Sequence, residues 1–286
     1  HKAIRRQRQM CIRDSVDIML LKDLEGEKCE LEMIAGGCDA DCHRRRFRTK
    51  LIAMGMCGYD RVIVEPSGIY DVDEFFDVLR DDPIDRWYEI GNVIAVVNAG
   101  LEESLSDQAE FLLASEVADA GSIVLSRSQE VPVTKQDATI EHLNRSLVKF
   151  GCRRQIKGDE VLRSPWNEWT EREFERVLNG GYCTESYRKP EYRENQGFQS
   201  LYYMNLQIKK EELKEKIKEA LKDLACGKLF RIKGFMQDEN EKWIELNATQ
   251  YEIQMNPVGE GQNVLIVIGE GLEEDALAKY FGTPAR

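Results

Sequence analysis

The chain has 286 residues, of which 40 are Lys or Arg and 52 are Asp or Glu, so its net charge is −12. Surfaces that bind nucleic acid need clustered cations to contact phosphates, and this acidic balance argues against such a partner. No apolar stretch has the length of a membrane-spanning helix, which predicts that there is no membrane partner. The eight cysteines are scattered and no secretory segment is present, so we expect reduced thiols and a cytoplasmic protein.

The first fifteen residues differ in composition from the rest of the chain. They contain five basic residues and a single acid, Asp14, whereas the remainder is strongly acidic. A basic N-terminal run is typical of a nucleic-acid arm or a targeting peptide. We favour a third explanation, in which residues 1–15 are a non-native segment. The authentic sequence would then start near Val16, and an upstream strand and loop would have been lost.

The first half of the chain alternates short apolar runs with helical patterns. The apolar runs predict strands at residues 31–34, 61–64, 92–97 and 121–125. Apolar residues at helical spacing predict helices at residues 44–56, 72–79, 105–117 and 139–150. Such alternation is typical of an α/β fold, in which a parallel sheet is covered by helices on both faces. The sequence therefore predicts an α/β domain over residues 16–180.

The pattern changes after a polar connection at residues 181–196. A strand is predicted at 198–206, a helix at 209–224 and a final helix at 272–281. Between the two helices lie four strand-like pieces, at 229–235, 243–248, 251–255 and 264–268. Two of them alternate apolar and polar residues with period two, which indicates a mostly antiparallel sheet with one covered face. Residues 197–286 are thus predicted to form a smaller α+β domain.

Three of the strands in the first domain stop at polar residues. The strand at 61–64 runs into Glu65-Pro66-Ser67-Gly68, the strand at 92–97 into Asn98, and the strand at 121–125 into Ser126-Arg127-Ser128-Gln129. The carboxyl ends of strands in open α/β sheets are where such sheets bind ligands. The polar ends therefore predict a nucleotide-type site.

The predicted nucleotide site lacks one expected part. The 286 residues contain no G-x-x-x-x-G-K-S/T loop, the motif whose backbone N–H groups cradle phosphates. Glu65 is the strongest candidate for a functional side chain, because a carboxylate beside phosphates can hold Mg²⁺ or orient the attacking water. Gly68 would let the backbone approach the γ-phosphate. The alternatives are an ion-paired or helix-capping Glu65, and a Gly68 required only by a turn.

A second candidate site is a loop with two closely spaced cysteines. Cys38 and Cys42 could bind a divalent metal together with Asp39, Asp41 or His43. Thiolate and imidazole ligands suit zinc or cobalt, whereas carboxylates widen the range of metals. The alternative is a reduced loop with one buried thiol. The basic run at residues 43–48 follows directly, and it is either the solvated face of a helix or a contact for phosphate or an acidic partner.

Several motifs, in the same order along the chain, resemble the CobW-type family of P-loop GTPases. Gly36-Gly37-Cys38 is similar to the start of the family's metal motif. Residues 62–68 resemble its Walker B element, and residues 96–99 its V-V-D-A strand. Residues 118–126 resemble the strand that leads to its guanine-reading motif. In the second domain, residues 197–200 and the R-x-K-G string at residues 231–234 resemble the family's C-terminal domain.

The resemblance implies a P-loop NTPase-like parallel sheet that lacks its first strand and phosphate loop, followed by a CobW C-terminal domain. It assigns Glu65 and Gly68 to catalysis, Asn98, Ser126 and Arg127 to the nucleotide, and Cys38, Asp41 and Cys42 to the metal. Two motifs depart from the family pattern. Only Cys38 matches the metal motif cleanly, and Gln129 stands where an aspartate would accept two hydrogen bonds from guanine.

These expectations lead to two hypotheses. In the first, the intact protein is a metal chaperone that binds and hydrolyses GTP with Mg²⁺ and delivers zinc or cobalt to a client metalloprotein. The 286-residue chain itself would then hydrolyse little GTP. In the second, the protein is a non-hydrolysing metal-binding or protein-interaction module. Tight, Mg²⁺-dependent GTP binding would favour the first hypothesis over the second.

Overall fold

The computed structural model describes residues 4–9, 26, 29–34, 40–66, 72–190, 198–238 and 240–285. The chain divides into two compact units. Unit 1 comprises residues 1–68 and 192–286, and unit 2 comprises residues 69–191. Unit 1 thus contains both the N-terminal segment and the residues of the predicted α+β domain.

The N-terminal part of unit 1 contains a parallel three-stranded sheet and one long helix. Strand β1 spans Ile4–Gln9, β2 spans Cys29–Ile34 and β3 spans Arg61–Glu65. Helix α1, Ala40–Cys57, connects β2 to β3. The strand order is β2-β1-β3, and both pairings are parallel.

Strand β1 lies within the segment that the sequence predicts to be non-native. Its residues read IRRQRQ. Central strands of parallel sheets are normally apolar, because helices cover both of their faces. The sequence of β1 is therefore unusual for its position between two other strands, and the assignment of residues 1–15 stays a prediction.

Unit 2 is a second α/β assembly. Its parallel sheet has the order β4-β5-β6. Its strands are β4 (Ile94–Asn98), β5 (Ser122–Ser126) and β6 (Val161–Leu162). Its helices are α2 (Val72–Arg80), α3 (Asp107–Ala118), α4 (Val133–Lys149) and α5 (Glu171–Leu178). The α/β class that the sequence predicts is confirmed.

The three strands with polar ends are divided between these two sheets. β3 pairs with β1 in unit 1, whereas β4 pairs with β5 in unit 2. Alternate residues of β3 and β4 are exposed, and Val96 of β4 is 66% exposed. The sequence predicted the strands but not this division, because apolar periodicity identifies a strand without identifying its neighbour.

The C-terminal part of unit 1 is an antiparallel five-stranded sheet with the order β10-β9-β8-β11-β7. Its strands are β7 (Phe198–Met204), β8 (Lys228–Gln237), β9 (Trp243–Ala248), β10 (Ile253–Pro257) and β11 (Val264–Glu270). Helices α6 (Lys210–Ala220) and α7 (Glu274–Phe281) contribute Ile217 and Leu277 to its core. This separate antiparallel domain confirms the α+β prediction.

Some element boundaries differ from the sequence-based prediction. Helix α4 begins at Val133 rather than Thr139, directly after Pro132. Proline is well tolerated at a helix start, so this residue marks the beginning of the helix. β6 and α5 were not predicted, because a two-residue strand and an eight-residue helix are too short to show a clear period. Within the described part of the chain, no helix is long and apolar enough to cross a membrane.

Candidate functional site

The carboxyl ends of β4 and β5 lie side by side. Asn98 and Ser126 are direct partners in the parallel register of these two strands. The structure therefore brings together two of the three residues that the sequence assigns to the nucleotide, and the third, Arg127, follows Ser126 immediately. β5 is buried along most of its length, which fixes the position of this edge.

Asn98 and Ser126 hold the backbone of this edge. The Asn98 side-chain oxygen accepts a hydrogen bond of 2.9 Å from the N–H of Gly100. The Ser126 hydroxyl donates to the carbonyl of Val97 over 3.3 Å. The Asn98 side chain thus satisfies the backbone of the turn after β4, and the Ser126 side chain satisfies the backbone of β4 itself. Their assignment to the nucleotide stays a prediction.

The turn after β5 contains an unsatisfied polar atom. Arg127 is in the left-handed conformation, with φ of 56°, and a short 3₁₀ helix, Ser128–Glu130, follows. Ser128 is 3% exposed, and its hydroxyl has no hydrogen-bond partner. A buried hydroxyl without a partner loses its hydration without compensation. The turn after β5 therefore contains a buried polar group without a partner, directly after the exposed Arg127.

Side chains of helix α4 form hydrogen bonds with the turn after β4 and with the turn after β5. The side-chain amide of Gln136 donates to the Ser128 carbonyl over 2.9 Å. The Thr139 hydroxyl donates to the Ala99 carbonyl over 2.8 Å. Both side chains are buried, so these hydrogen bonds are shielded from water. The turn after β4 and the turn after β5 are thus tied to the same helix.

The same face of α4 also binds helix α3. His142 Nε2 lies 2.7 Å from a carboxylate oxygen of Glu110, and the Ser146 hydroxyl donates to the other oxygen of that carboxylate. The His142 and Glu110 side chains are 5% and 13% exposed. Buried polar groups are stable only when their hydrogen bonds are satisfied, and here one carboxylate satisfies two partners. The contact fixes the helix that supports the loops.

Asp119, at the end of α3, is a further buried charge in unit 2. It is 4% exposed, and burial raises the pKa of its carboxyl group. One of its oxygens accepts a hydrogen bond of 3.0 Å from the N–H of Glu185. Nearby, Arg154 donates to the carbonyls of Val117 and Ala118, which are the last carbonyls of α3. A cation at this position stabilises the helix end.

Glu65 is exposed at the end of β3, in a different sheet and a different unit from Asn98 and Ser126. Gly68 lies outside the described residues. The catalytic roles that the sequence assigns to Glu65 and Gly68 therefore stay predictions.

The predicted metal ligands lie largely outside the described residues. Asp41 and Cys42 fall in the first turn of α1, where the structure describes the backbone but not these side chains, and Cys38 lies outside the described residues altogether. Among the side chains that the structure does describe, no three His, Cys, Asp or Glu residues are arranged to hold a metal ion. Cys57, the last residue of α1, is an exposed free thiol.

Sequence reasoning missed the residues that support the β4–β5 edge. Ser128 lies within the polar end predicted for β5 but was not among the predicted site residues. Helix α4 carries buried polar residues on one face, and their spacing of three or four residues is the signal that could have identified them. These residues are Gln136, Thr139, His142 and Ser146.

Comparisons with known proteins give two family matches. The family described as "CobW/HypB/UreG, nucleotide-binding domain" matches residues 13–156, which is half of the chain. The family described as "Cobalamin synthesis protein cobW C-terminal domain" matches residues 205–283. Among curated proteins, no sequence matches the chain.

Two solved structures are similar over nearly the whole chain. One is a Zn(II)-bound triple mutant of the YjiA GTPase, with 16% identity, a TM-score of 0.32, and coverage of 98% of this chain and 89% of that chain. The other is the Zn(II)-bound YjiA GTPase from E. coli, with 13% identity, a TM-score of 0.30 and coverage of 98% of both chains.

Proposed function

We propose that this chain, which belongs to the CobW/HypB/UreG nucleotide-binding family, binds GTP with Mg²⁺. In this proposal, nucleotide binding and hydrolysis control the delivery of a divalent metal, zinc or cobalt, to a client metalloprotein. The observation that carries the proposal is the β4–β5 edge, where the exposed Arg127 is followed in the chain by Ser128, whose buried hydroxyl has no hydrogen-bond partner.

The chemistry of this edge fits part of a nucleotide. Ser128 can donate or accept a hydrogen bond, and the Arg127 guanidinium can bind an oxygen or stack on a base. Asn98 holds the neighbouring turn. The chain has no G-x-x-x-x-G-K-S/T loop to surround the phosphates. We therefore expect the 286-residue chain to bind GTP weakly and to hydrolyse it slowly.

Glu65 and Gly68 are proposed to act at the phosphates. A carboxylate at the end of β3 would hold Mg²⁺ or orient the attacking water, and glycine would allow close approach of the backbone. The metal is cargo in this proposal and would be bound by Cys38, Cys42 and Asp41. Thiolate and carboxylate ligands are compatible with zinc and cobalt.

Calorimetric titration of the purified chain with GTP in the presence of Mg²⁺ tests the nucleotide part of the proposal. We expect saturable binding that Arg127→Ala weakens. The matched control is Arg145→Ala, which removes an exposed arginine from the last third of α4. No binding, or equal affinity of both variants, would contradict the assignment of this edge. Rapid GTP turnover abolished by Glu65→Gln would contradict the expectation of slow hydrolysis.

Cobalt titration tests the metal part independently. Cobalt bound by thiolate gives a charge-transfer absorption that water-bound cobalt lacks. We expect this absorption in the wild-type chain, and its loss in Cys38→Ser and Cys42→Ser. Cys57→Ser, which changes an exposed thiol outside the proposed site, serves as the control and should leave the spectrum unchanged. A spectrum that depends on Cys57 alone would contradict this assignment and would indicate a metal site at the end of α1.

A second candidate function is a non-hydrolysing metal-binding or protein-interaction module. The observation in its favour is the Ser126-Arg127-Ser128-Gln129 string. Here the side-chain amide of Gln129 stands where an aspartate carboxylate would accept two hydrogen bonds from guanine. The two titrations separate the candidates. Cobalt binding without any GTP or ATP binding supports this second function, whereas Mg²⁺-dependent GTP binding supports the first.

A further inference from the structure

Helix α1 has a narrow buried face and a broad face toward solvent. Phe47, Leu51 and Met54 are at most 1% exposed, and their spacing of four and three residues places them along one side of the helix. Arg45 and Arg46 are exposed, as is Met56 in the last turn, at 79%. The helix is thus anchored by one apolar side, and its other side is accessible to a partner.

The accessible side is strongly basic. Five cations occur within seven consecutive positions of α1, and the only acid in the helix is Asp41 in its first turn. Two of the cations are exposed and three are partly buried. They are Arg44, Arg45, Arg46, Arg48 and Lys50. These side chains also interact with groups of their own chain, so a partner would add to or replace those interactions.

The chemistry of this surface favours carboxylates. Four of the five cations are arginines, and the guanidinium group offers parallel N–H donors that match a carboxylate in two-point geometry. The chain carries a net charge of −12. A long polyanion such as nucleic acid is therefore repelled by the molecule as a whole. A short acidic segment, in contrast, can bind to the basic helix without contacting the acidic remainder of the surface. Met56 adds apolar area in the last turn of the helix, about three turns beyond Arg45 and Arg46.

We propose that the solvent face of α1 is a docking surface for a short acidic segment of a partner protein that also carries apolar residues. The proposal goes beyond nucleotide binding and does not depend on it. Glutamates and aspartates of the segment would pair with Arg45 and Arg46, and apolar side chains would contact Met56. Contacts between opposite charges accelerate association and are weakened by salt, so binding should depend strongly on ionic strength.

Fluorescence anisotropy of the full chain with a labelled synthetic peptide tests this proposal. The peptide alternates pairs of glutamates with leucine, and a control peptide replaces every glutamate by glutamine. We expect saturable binding of the acidic peptide alone, with an affinity that falls as salt is added. Reversing the charge of both exposed arginines, Arg45→Glu with Arg46→Glu, should weaken binding about tenfold or more, because charge-assisted hydrogen bonds become repulsive contacts.

The matched control reverses two exposed arginines elsewhere, Arg145→Glu with Arg153→Glu, and thus changes the net charge equally. We expect it to weaken peptide binding much less than the α1 variant does. Circular dichroism establishes that each variant is folded, and the salt dependence of the wild type is an independent test. Equal weakening by both variants, equal binding of the glutamine peptide, or tighter binding of single-stranded RNA than of the acidic peptide would overturn the proposal.

Discussion

The buried hydroxyl of Ser128, which has no hydrogen-bond partner, lowers the stability of the folded chain. Leaving a buried polar group without a hydrogen bond costs about 1–3 kcal/mol relative to a satisfied one. Ser128 is fixed in this state because its carbonyl accepts from Gln136 and the preceding Arg127 is in a left-handed conformation. A group that destabilises the free protein and adjoins a polar strand edge is a reasonable place for a ligand to bind.

Substitution of Ser128 separates its effects on stability and on binding. Ser128→Ala removes the unsatisfied oxygen and leaves only a small void, so we expect the free energy of unfolding to stay equal or to rise by up to about 1 kcal/mol. If GTP satisfies the hydroxyl, the same variant should bind GTP about 5–10-fold more weakly. Urea unfolding and calorimetry measure the two quantities. Lower stability together with unchanged GTP affinity would show that the hydroxyl is structural.

Glu116 of α3 is a second residue whose buried environment is unfavourable for its side chain, here because the side chain can ionise. Burial raises the pKa of its carboxyl group from 4.5 to about 7. A shift of this size corresponds to about 3 kcal/mol, which we expect to be reduced to about 2 kcal/mol because part of the side chain still contacts water. Since the folded state holds this proton more tightly than the unfolded state, the group lowers stability as pH rises from about 4.5 to 7.

The variant Glu116→Gln should remove this pH dependence. We expect it to unfold at higher urea concentration than the wild type at pH 8, with a gain of about 1–2 kcal/mol, and to differ little at pH 5, where the wild-type side chain is protonated. Urea titrations across this pH range provide the measurement. Glu141→Gln, at an exposed position of α4, is the control. A gain that is the same at both pH values would refute the electrostatic explanation.

At the scale of elements, helix α4 connects three parts of unit 2. Its buried polar residues bond to the turn after β4, to the turn after β5 and to Glu110 of α3. Directional hydrogen bonds in a buried setting make the positions of neighbouring elements more specific than packing alone does. The geometry of this sheet edge therefore depends on α4, although the α4 side chains that bond to the two turns are buried.

The variant Thr139→Val tests this role of α4. It retains the shape of the side chain but removes the hydrogen bond to the Ala99 carbonyl, so we expect a loss of about 1–3 kcal/mol in the free energy of unfolding. Thr134→Val makes the same change at an exposed position of the same helix and should shift stability by less than about 0.5 kcal/mol. Hydrogen exchange should be faster in the turn after β4 for the first variant only. Similar results for both would mean that the hydrogen bond does not fix the turn.

The sequence was sufficient to predict elements whose signal is local. The ends of β4 and β5 were visible because apolar runs stop abruptly at Asn98 and Ser126, and the predicted residues do lie side by side. The separation of β3 from these strands was not predictable, since strand pairing depends on contacts far apart in the chain. The polar face of α4 was overlooked because polar residues on a helix are normally assigned to its exposed side.

At the scale of the whole molecule, the C-terminal sheet has a core of its own. Ile217 of α6 and Leu277 of α7 are fully buried against residues of the five-stranded sheet, and every member of this cluster lies between residues 201 and 281. In unit 2, Leu143 of α4 is also fully buried. Stability is seldom uniform across a chain with separate cores, and each core can open as its own cooperative unit.

Two truncations of buried side chains test whether the cores behave independently. Ile217→Ala and Leu143→Ala should each cost about 2–5 kcal/mol, because each leaves a cavity in a packed core. Hydrogen exchange followed by mass spectrometry resolves where that cost appears. We expect faster exchange within residues 198–285 for the first variant, within residues 72–190 for the second, and wild-type exchange in the other segment of each. Because the two variants are reciprocal controls, faster exchange in both segments of either one would show that the cores unfold together, and the boundary near residues 181–196 would then not separate independent folding units.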